Sequence, residues 1–125
     1  MKIEMTDEQA KALSNASETI SRMLMGQFNE IKYMFLHKDI DFDELDVVLL
    51  KLEKVVFPNG RIVADREYSS ILWDIYQVLR RHLAYKRDKD PTMTRDWKTQ
   101  ITVDYDEPRK TSKEPLIKIE DNYDV

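Results

Sequence analysis

Three aspartates at alternating positions are the first residues of this chain whose type and spacing could form a metal-binding site. Asp39, Asp41 and Asp43 would supply oxygen ligands at positions one, three and five of a calcium-binding loop. Such a loop also needs glycine at position six and glutamate at position twelve, where this chain has Glu44 and Leu50. The calcium interpretation therefore fails, and Asp41 or Asp43 is instead expected to cap a helix.

Residue types that carry catalysis or hold metals are scarce elsewhere. The chain has no cysteine, and His37 and His82 fall in different predicted helices. A glycine-rich phosphate loop is excluded, because Gly26 and Gly60 are the chain's two glycines and lie far apart. No nucleophile–base pair or pair of carboxylates is recognisable by spacing. We therefore predict a protein that is not an enzyme and that uses no metal and no cofactor.

Length and composition indicate one small globular domain with an appendage. The chain has 125 residues, and its hydrophobic fraction of 42% is typical of a folded rather than a disordered protein. Its N-terminus is charged where a signal peptide is apolar. Its most apolar segment, 47–57, is interrupted by charges and too short to cross a bilayer. A cytoplasmic protein without a membrane segment is the expectation.

Hydrophobic periodicity predicts an all-α head over residues 1–87. The head is either a three-helix antiparallel bundle or a long helical hairpin. Thr6 and Gln9 have the spacing of a capping box and mark the first helix start. The second helix is expected to stop at Pro58, although a β-hairpin over 55–63 is an alternative. The predicted helices cover residues 7–37, 43–57 and 65–87.

The first predicted helix is longer than its neighbours. With a rise of about 1.5 Å per residue, it spans about 46 Å, against about 22 Å for the second helix and about 33 Å for the third. Its N-terminal half therefore needs another surface, unless its first turns fray. A homodimer through this helix is the preferred interpretation, with the contact made by Leu13, Ala16, Ser17 and Ile20.

The sequence changes character after Arg87, where an extended tail of residues 88–125 begins. Residues 100–105 alternate apolar and polar side chains, and 115–119 are mostly apolar, so both are predicted as short strands. An isolated two-stranded hairpin is only marginally stable in water. The tail is therefore expected to dock on the helices, to pair with another chain or to be mobile.

A second stripe on the third helix predicts a site for a protein partner. This stripe is rotated by about 110° from the apolar face and consists of Trp73, Tyr76, Arg80 and Arg87. Tryptophan, tyrosine and arginine are enriched at binding hot spots because they combine a large rigid area with a polar group. The alternative is that Trp73 and Tyr76 pack under the tail or against a neighbouring helix.

A basic run across residues 80–98 supports a different hypothesis. Although the whole chain has a net charge of −4, this run could hold a phosphate backbone, and its aromatic residues could stack on bases. The residues of this alternative nucleic-acid site are Arg80, Arg81, Lys86, Arg87, Lys89, Arg95, Trp97 and Lys98. A third hypothesis, an acidic mimic of nucleic acid, would use 39–46 and the acidic C-terminal end, but these acids do not form an extended array.

The leading hypothesis is a non-enzymatic interaction or regulatory accessory module, expected to be a homodimer with an additional protein partner. A short, cysteine-free, densely charged chain with a helical head and an extended tail is typical of small accessory proteins of phages and mobile elements. This composition favours an interaction role over catalysis.

Overall fold

Helices account for most of the chain that the structure describes. The computed structural model describes residues 1–36, 39–60, 66–87, 94–95, 100–101 and 107–120. Its elements in chain order are helix α1 (Asp7–Leu24), a 3-10 helix (Phe28–Phe35), helix α2 (Phe42–Val56), helix α3 (Arg66–Arg87), strand β1 (Thr94–Arg95) and strand β2 (Gln100–Ile101). The mostly helical class predicted from periodicity is confirmed.

Helix α1 begins with the predicted capping box but ends earlier than predicted. The Thr6 hydroxyl accepts from the Gln9 backbone N–H at 3.1 Å, and the Gln9 side chain accepts from the Thr6 backbone N–H at 2.9 Å. The predicted continuous helix over 7–37 is wrong, because Gly26 has a φ of 86° and the chain continues as a 3-10 helix. A left-handed residue cannot continue a right-handed helix, so the glycine separates the two.

Substitution of Gly26 tests this break. Gly26→Ala is expected to lower the free energy of unfolding by about 1–2 kcal/mol, because a Cβ disfavours the left-handed conformation. Chemical denaturation measures the change. Asn15→Ala, at an exposed position within α1, is the control and should change stability by less than about 0.5 kcal/mol. Equal effects of the two substitutions would contradict the assigned role of Gly26.

Helix α2 follows the predicted boundaries within one residue at each end. Its cap is Asp41, whose Oδ1 accepts from the backbone N–H groups of Asp43 and Glu44 at 3.1 Å each. This is the capping role expected for the aspartate turn. The helix ends before Phe57 and Pro58, and Val55 and Val56 are helical, so the alternative β-hairpin over 55–63 does not form at its first residues.

Helices α1 and α3 pack as an antiparallel hairpin through small residues. At one end, the Lys86 ammonium lies 2.6 Å from the Asp7 carboxylate. At the other, the Ser21 hydroxyl donates to the Ser69 carbonyl at 2.8 Å, and the Ser69 hydroxyl donates to the Ser21 carbonyl at 3.0 Å. Such reciprocal bonds bring the two backbones close together. The buried face of α1 consists of Ala10, Ser14, Ser17 and Ser21.

The predicted overhang of the first helix is absent. Because α1 stops at Leu24, its 18 residues are fewer than the 22 residues of α3. The third helix can therefore cover the first along its whole length. The length argument for a homodimer through the first helix loses its basis, and any self-association has to be argued from surfaces that the fold leaves exposed.

Helix α2 forms a side lobe with the 3-10 helix. Phe28, Leu49 and Phe57 are its buried core, and the rings of Phe28 and Phe57 lie 6.0 Å apart between centroids. Met23 of α1 and Ile31 of the 3-10 helix pack against this core. Within the described residues, α2 packs chiefly against the 3-10 helix rather than against the α1–α3 hairpin. The head is thus a helical hairpin with a side lobe.

The described residues of the tail contain less β-structure than predicted. Strands β1 and β2 are two residues each and pair antiparallel, with Thr94 opposite Ile101 and Arg95 opposite Gln100. The predicted strand over 100–105 is therefore present at its first two residues, and 102–106 lie outside the described residues. Residues 115–119 are described and have no assigned secondary structure, so the second predicted strand does not form there.

Candidate interaction surfaces

The aromatic stripe predicted as a partner site takes part in packing the hairpin. The rings of Trp73 and Tyr76 lie 5.1 Å apart, tilted by 52°. The guanidinium of Arg22, on α1, lies 5.2 Å from the centre of the Trp73 ring, and Arg80 lies 5.6 Å from that of Tyr76. Both aromatic side chains are partly buried. The stripe is therefore used largely within the chain, which is the alternative that the sequence left open.

Tyr76 is held in its neutral form by this environment. Burial raises the pKa of Tyr76 well above its usual value of 10.0, and a hydrogen bond and the negative charge of Glu18 raise it further. Arg80 and Arg22 oppose this shift without cancelling it. The phenol therefore remains a hydrogen-bond donor to the Glu18 carboxylate. Sequence reasoning missed Glu18 and Arg22, because nothing in a single sequence pairs α1 residues with α3 residues.

The basic run predicted as a nucleic-acid site is partly neutralised within the chain. The Arg81 guanidinium lies 2.8 Å from the Glu107 carboxylate and 4.8 Å from the centre of the Tyr85 ring. Lys86 pairs with Asp7.

Three further members of the basic run, Lys89, Trp97 and Lys98, lie outside the described residues, and only the backbones of Arg87 and Arg95 are described.

The four residues predicted for self-association do not share one exposed surface. Ser17 is only 2% exposed and lies on the face of α1 that packs against α3, so its assignment to a dimer contact is wrong. Leu13, Ala16 and Ile20 lie on the adjoining face and are exposed. Periodicity alone placed the contact face of α1 on its large apolar residues, whereas the hairpin uses the small ones.

Helix α2 carries an exposed apolar stripe that the sequence did not single out. Val48, Leu52 and Val55 recur at spacings of four and three, so they share one face of the helix. Their exposed fractions are 52%, 42% and 77%. The available signal was the width of the apolar face of α2, which includes Leu45 and Leu49 as well as this stripe and is wider than a contact with one neighbour requires. We call these three residues the α2 stripe.

The tail docks along α3 through side chains that bind its backbone. Asp74 is the centre of this contact and is only 5% exposed. Its Oδ1 accepts from the Thr111 N–H at 2.8 Å and hydroxyl at 2.7 Å. Its Oδ2 accepts from the Ser112 N–H at 3.0 Å and hydroxyl at 2.7 Å. One carboxylate thus receives four hydrogen bonds from two consecutive residues.

Three further α3 side chains continue this contact in both directions. The Gln77 amide donates to the Arg109 carbonyl at 3.0 Å and accepts from the Arg109 N–H at 3.2 Å. Glu67 accepts from the Lys113 N–H at 2.6 Å. The tail therefore runs antiparallel to α3 from Glu107, beside Arg81, to Lys113. We call residues 107–113 the tail segment, and we call the α3 residues that hold it, Glu67, Asp74, Gln77 and Arg81, the tail-binding stripe.

The hydrogen bonds to Asp74 stabilise its ionised form. Burial alone raises the pKa of this carboxyl group, but the hydrogen bonds from Thr111 and Ser112 outweigh that effect and hold the pKa below its ordinary value of 3.8. The carboxylate is therefore charged at neutral pH, and all four donors face a negative acceptor. Charge-assisted hydrogen bonds of this kind are stronger than those between neutral groups.

The described part of the chain offers neither a metal cluster nor a membrane span. Among the residues that the structure describes, no group of three or more histidine, aspartate and glutamate side chains is arranged to hold a metal ion. His82 lies partly buried on α3, and His37 lies outside the described residues. In the described segments, every helix is too short or too polar to span a bilayer.

Comparison with known proteins adds no relative to this picture: no family model, no characterised protein and no solved structure matches the chain.

Proposed function

We propose that this chain is a non-enzymatic protein–protein interaction module that forms a homodimer through the α2 stripe. The observation that supports this proposal is the exposure of Val48, Leu52 and Val55 on one face of a helix that packs chiefly against the 3-10 helix. Single exposed apolar residues are common on monomers, but a contiguous apolar patch marks an interaction site.

The amount of apolar surface on α2 favours a partner over solvent. Fully burying an exposed valine or leucine side chain contributes about 1.5–3 kcal/mol, and each residue of the stripe, which is 42–77% exposed, can contribute a part of this on association. A two-fold dimer contact uses each residue of the stripe twice, once from each copy. Val56, which is also exposed, borders the stripe on the same helix.

The charges along α2 favour an antiparallel pair of identical helices. Its first turn carries Asp43 and Glu44, whereas its second half carries Lys51 and Lys54 with a single carboxylate, Glu53, and is net positive. A two-fold axis across the middle of the helix sets the acidic start of one copy beside the basic half of the other. Such complementarity selects the antiparallel orientation over the parallel one.

Leu52→Glu tests the homodimer. Sedimentation velocity of the unaltered chain should give twice the mass of one chain, and Leu52→Glu should weaken dimerisation by at least about 100-fold, because a charge then faces an apolar surface in both copies. Leu52 is partly exposed, so the substitution should leave the helical circular dichroism signal unchanged.

Ile20→Glu is the matched control for this experiment. It introduces the same charge at an exposed apolar residue of α1, the helix that periodicity suggested for self-association. We expect this variant to remain dimeric. A chain that is monomeric at every concentration contradicts the proposal, and a monomer produced only by Ile20→Glu places the contact on α1 instead.

A further inference from the structure

The contact between tail and helix has the form of a peptide bound in a receptor. Most of its hydrogen bonds involve backbone atoms of the tail segment, which a peptide of another sequence could also provide. Selectivity comes from Asp74, which also receives the hydroxyl protons of Thr111 and Ser112. The site therefore recognises a peptide segment that carries two consecutive hydroxyl residues.

We infer that the tail-binding stripe also receives the tail segment of a second copy of this chain. Every copy carries both the receptor and its ligand, so the fitting peptide is always present at the concentration of the receptor. The tail segment of a second copy would make the same hydrogen bonds, because all of them join α3 to residues 107–113. Exchange of an identical element in this way is a low-cost route to a dimer.

The length of the connection does not confine the tail to its own helix. Glu107 lies beside Arg81, and the six residues from Arg81 to Arg87 rise by about 9 Å along α3. The nineteen residues 88–106 could span about 60 Å if extended. Even with β1 paired to β2, this is several times the distance required. Docking within one chain is then favoured by the effective concentration that this linker sets, and not because the chain is too short to reach another copy.

Two complementary full-length variants test the exchange. The double variant Thr111→Ala with Ser112→Ala keeps the receptor but lacks the tail hydroxyl groups, and Asp74→Ala keeps the tail but lacks the receptor carboxylate. Within one chain the double variant can form only the two backbone hydrogen bonds to Asp74 and the Asp74→Ala chain can form none, whereas a mixture can form all four between copies. The test titrates the ¹⁵N-labelled double variant with the unlabelled Asp74→Ala chain and follows it by NMR. We expect changes in the chemical shifts of the labelled α3 amides around Asp74 and Gln77.

A third chain separates this exchange from dimerisation through α2. The unlabelled triple variant Asp74→Ala, Thr111→Ala, Ser112→Ala retains the α2 stripe but lacks both the receptor carboxylate and the tail hydroxyl groups. It should bind the labelled chain through α3 at least about tenfold more weakly. Equal α3 shifts with both unlabelled chains, or no α3 shift with either, overturns the inference. Chemical-shift changes confined to the α2 amides would indicate dimerisation through the α2 stripe, which is the proposed function, and not exchange of the tail segment.

A milder pair keeps the test decisive if a multiple variant loses its helical circular dichroism signal. Ser112→Ala as the labelled chain and Asp74→Asn as the unlabelled chain each change one group. Because Ser112→Ala keeps three of the four hydrogen bonds to its own Asp74, the α3 amide signals should shift by less on mixing than with the first pair, and the absence of any shift overturns the inference.

Discussion

Replacing Phe28 with alanine is expected to unfold the side lobe while leaving the α1–α3 hairpin folded. Phe28 is 7% exposed and shares the lobe core with Leu49 and Phe57. Truncating a buried phenylalanine to alanine costs about 3–5 kcal/mol. A core of three buried side chains offers little else to offset that loss, whereas whole domains are stable by about 5–15 kcal/mol.

The hairpin should survive because its contacts lie elsewhere. Its two ends are joined by the Lys86–Asp7 ion pair and by the reciprocal hydrogen bonds between Ser21 and Ser69. None of these residues belongs to the lobe core. The two parts of the head are therefore expected to open as separate units, as regions of different local stability do in other proteins.

Amide hydrogen exchange measures this separation residue by residue. In Phe28→Ala, the amides of α2 should lose protection and those of α1 and α3 should retain it. Phe35→Ala is the matched control, since Phe35 lies in the same 3-10 helix but is 39% exposed, and it should leave α2 protected. Loss of protection in α3 by the same factor as in α2 would show that the head unfolds as one cooperative unit.

Periodicity captured α2 and α3 but not the end of α1. Both of the later helices follow the predicted limits closely, because Asp41 caps one of them and the apolar spacing is continuous along the other. Along 7–37 the apolar spacing also continues through Phe28 and Ile31, which are three residues apart. That interval fits an α-helix and a 3-10 helix equally well, so only the left-handed conformation of Gly26 distinguishes them.

The surfaces were harder to predict than the helices, because they depend on contacts between distant residues. Trp73 and Tyr76 were correctly placed on one face of α3, but that face turns towards Arg22 and Glu18 of α1. Thr111 and Asp74 are separated by 37 positions. A carboxylate that binds backbone N–H groups leaves no periodic signature, so the docking of the tail could be stated only as one of several alternatives.

Replacing Asp74 with alanine is expected to release the tail segment from α3. The carboxylate accepts four hydrogen bonds, and bonds to charged groups contribute about 1.5–3 kcal/mol each when they act independently. The four share one carboxylate and are not additive, so we expect a total loss of about 2–4 kcal/mol in docking free energy. Exchange of the Arg109, Thr111 and Ser112 amides measures it, and Asp43→Ala, an exposed carboxylate of α2, should leave these amides protected.

Acid should also release the tail segment from α3, and the lowered pKa of Asp74 sets the pH range in which this release occurs. Because hydrogen bonding holds the folded pKa below the ordinary value of 3.8, ionised Asp74 favours the docked state, and this contribution is complete above that value. The contribution is lost as the pH falls from 3.8 through the lower folded pKa.

NMR measures this release through the amide chemical shifts of Thr111 and Ser112. Over this pH range they should move to the values of a tail segment that is not bound to α3. Asp74→Asn should abolish the transition, and an unchanged transition in this variant would contradict the assignment of acid release to Asp74.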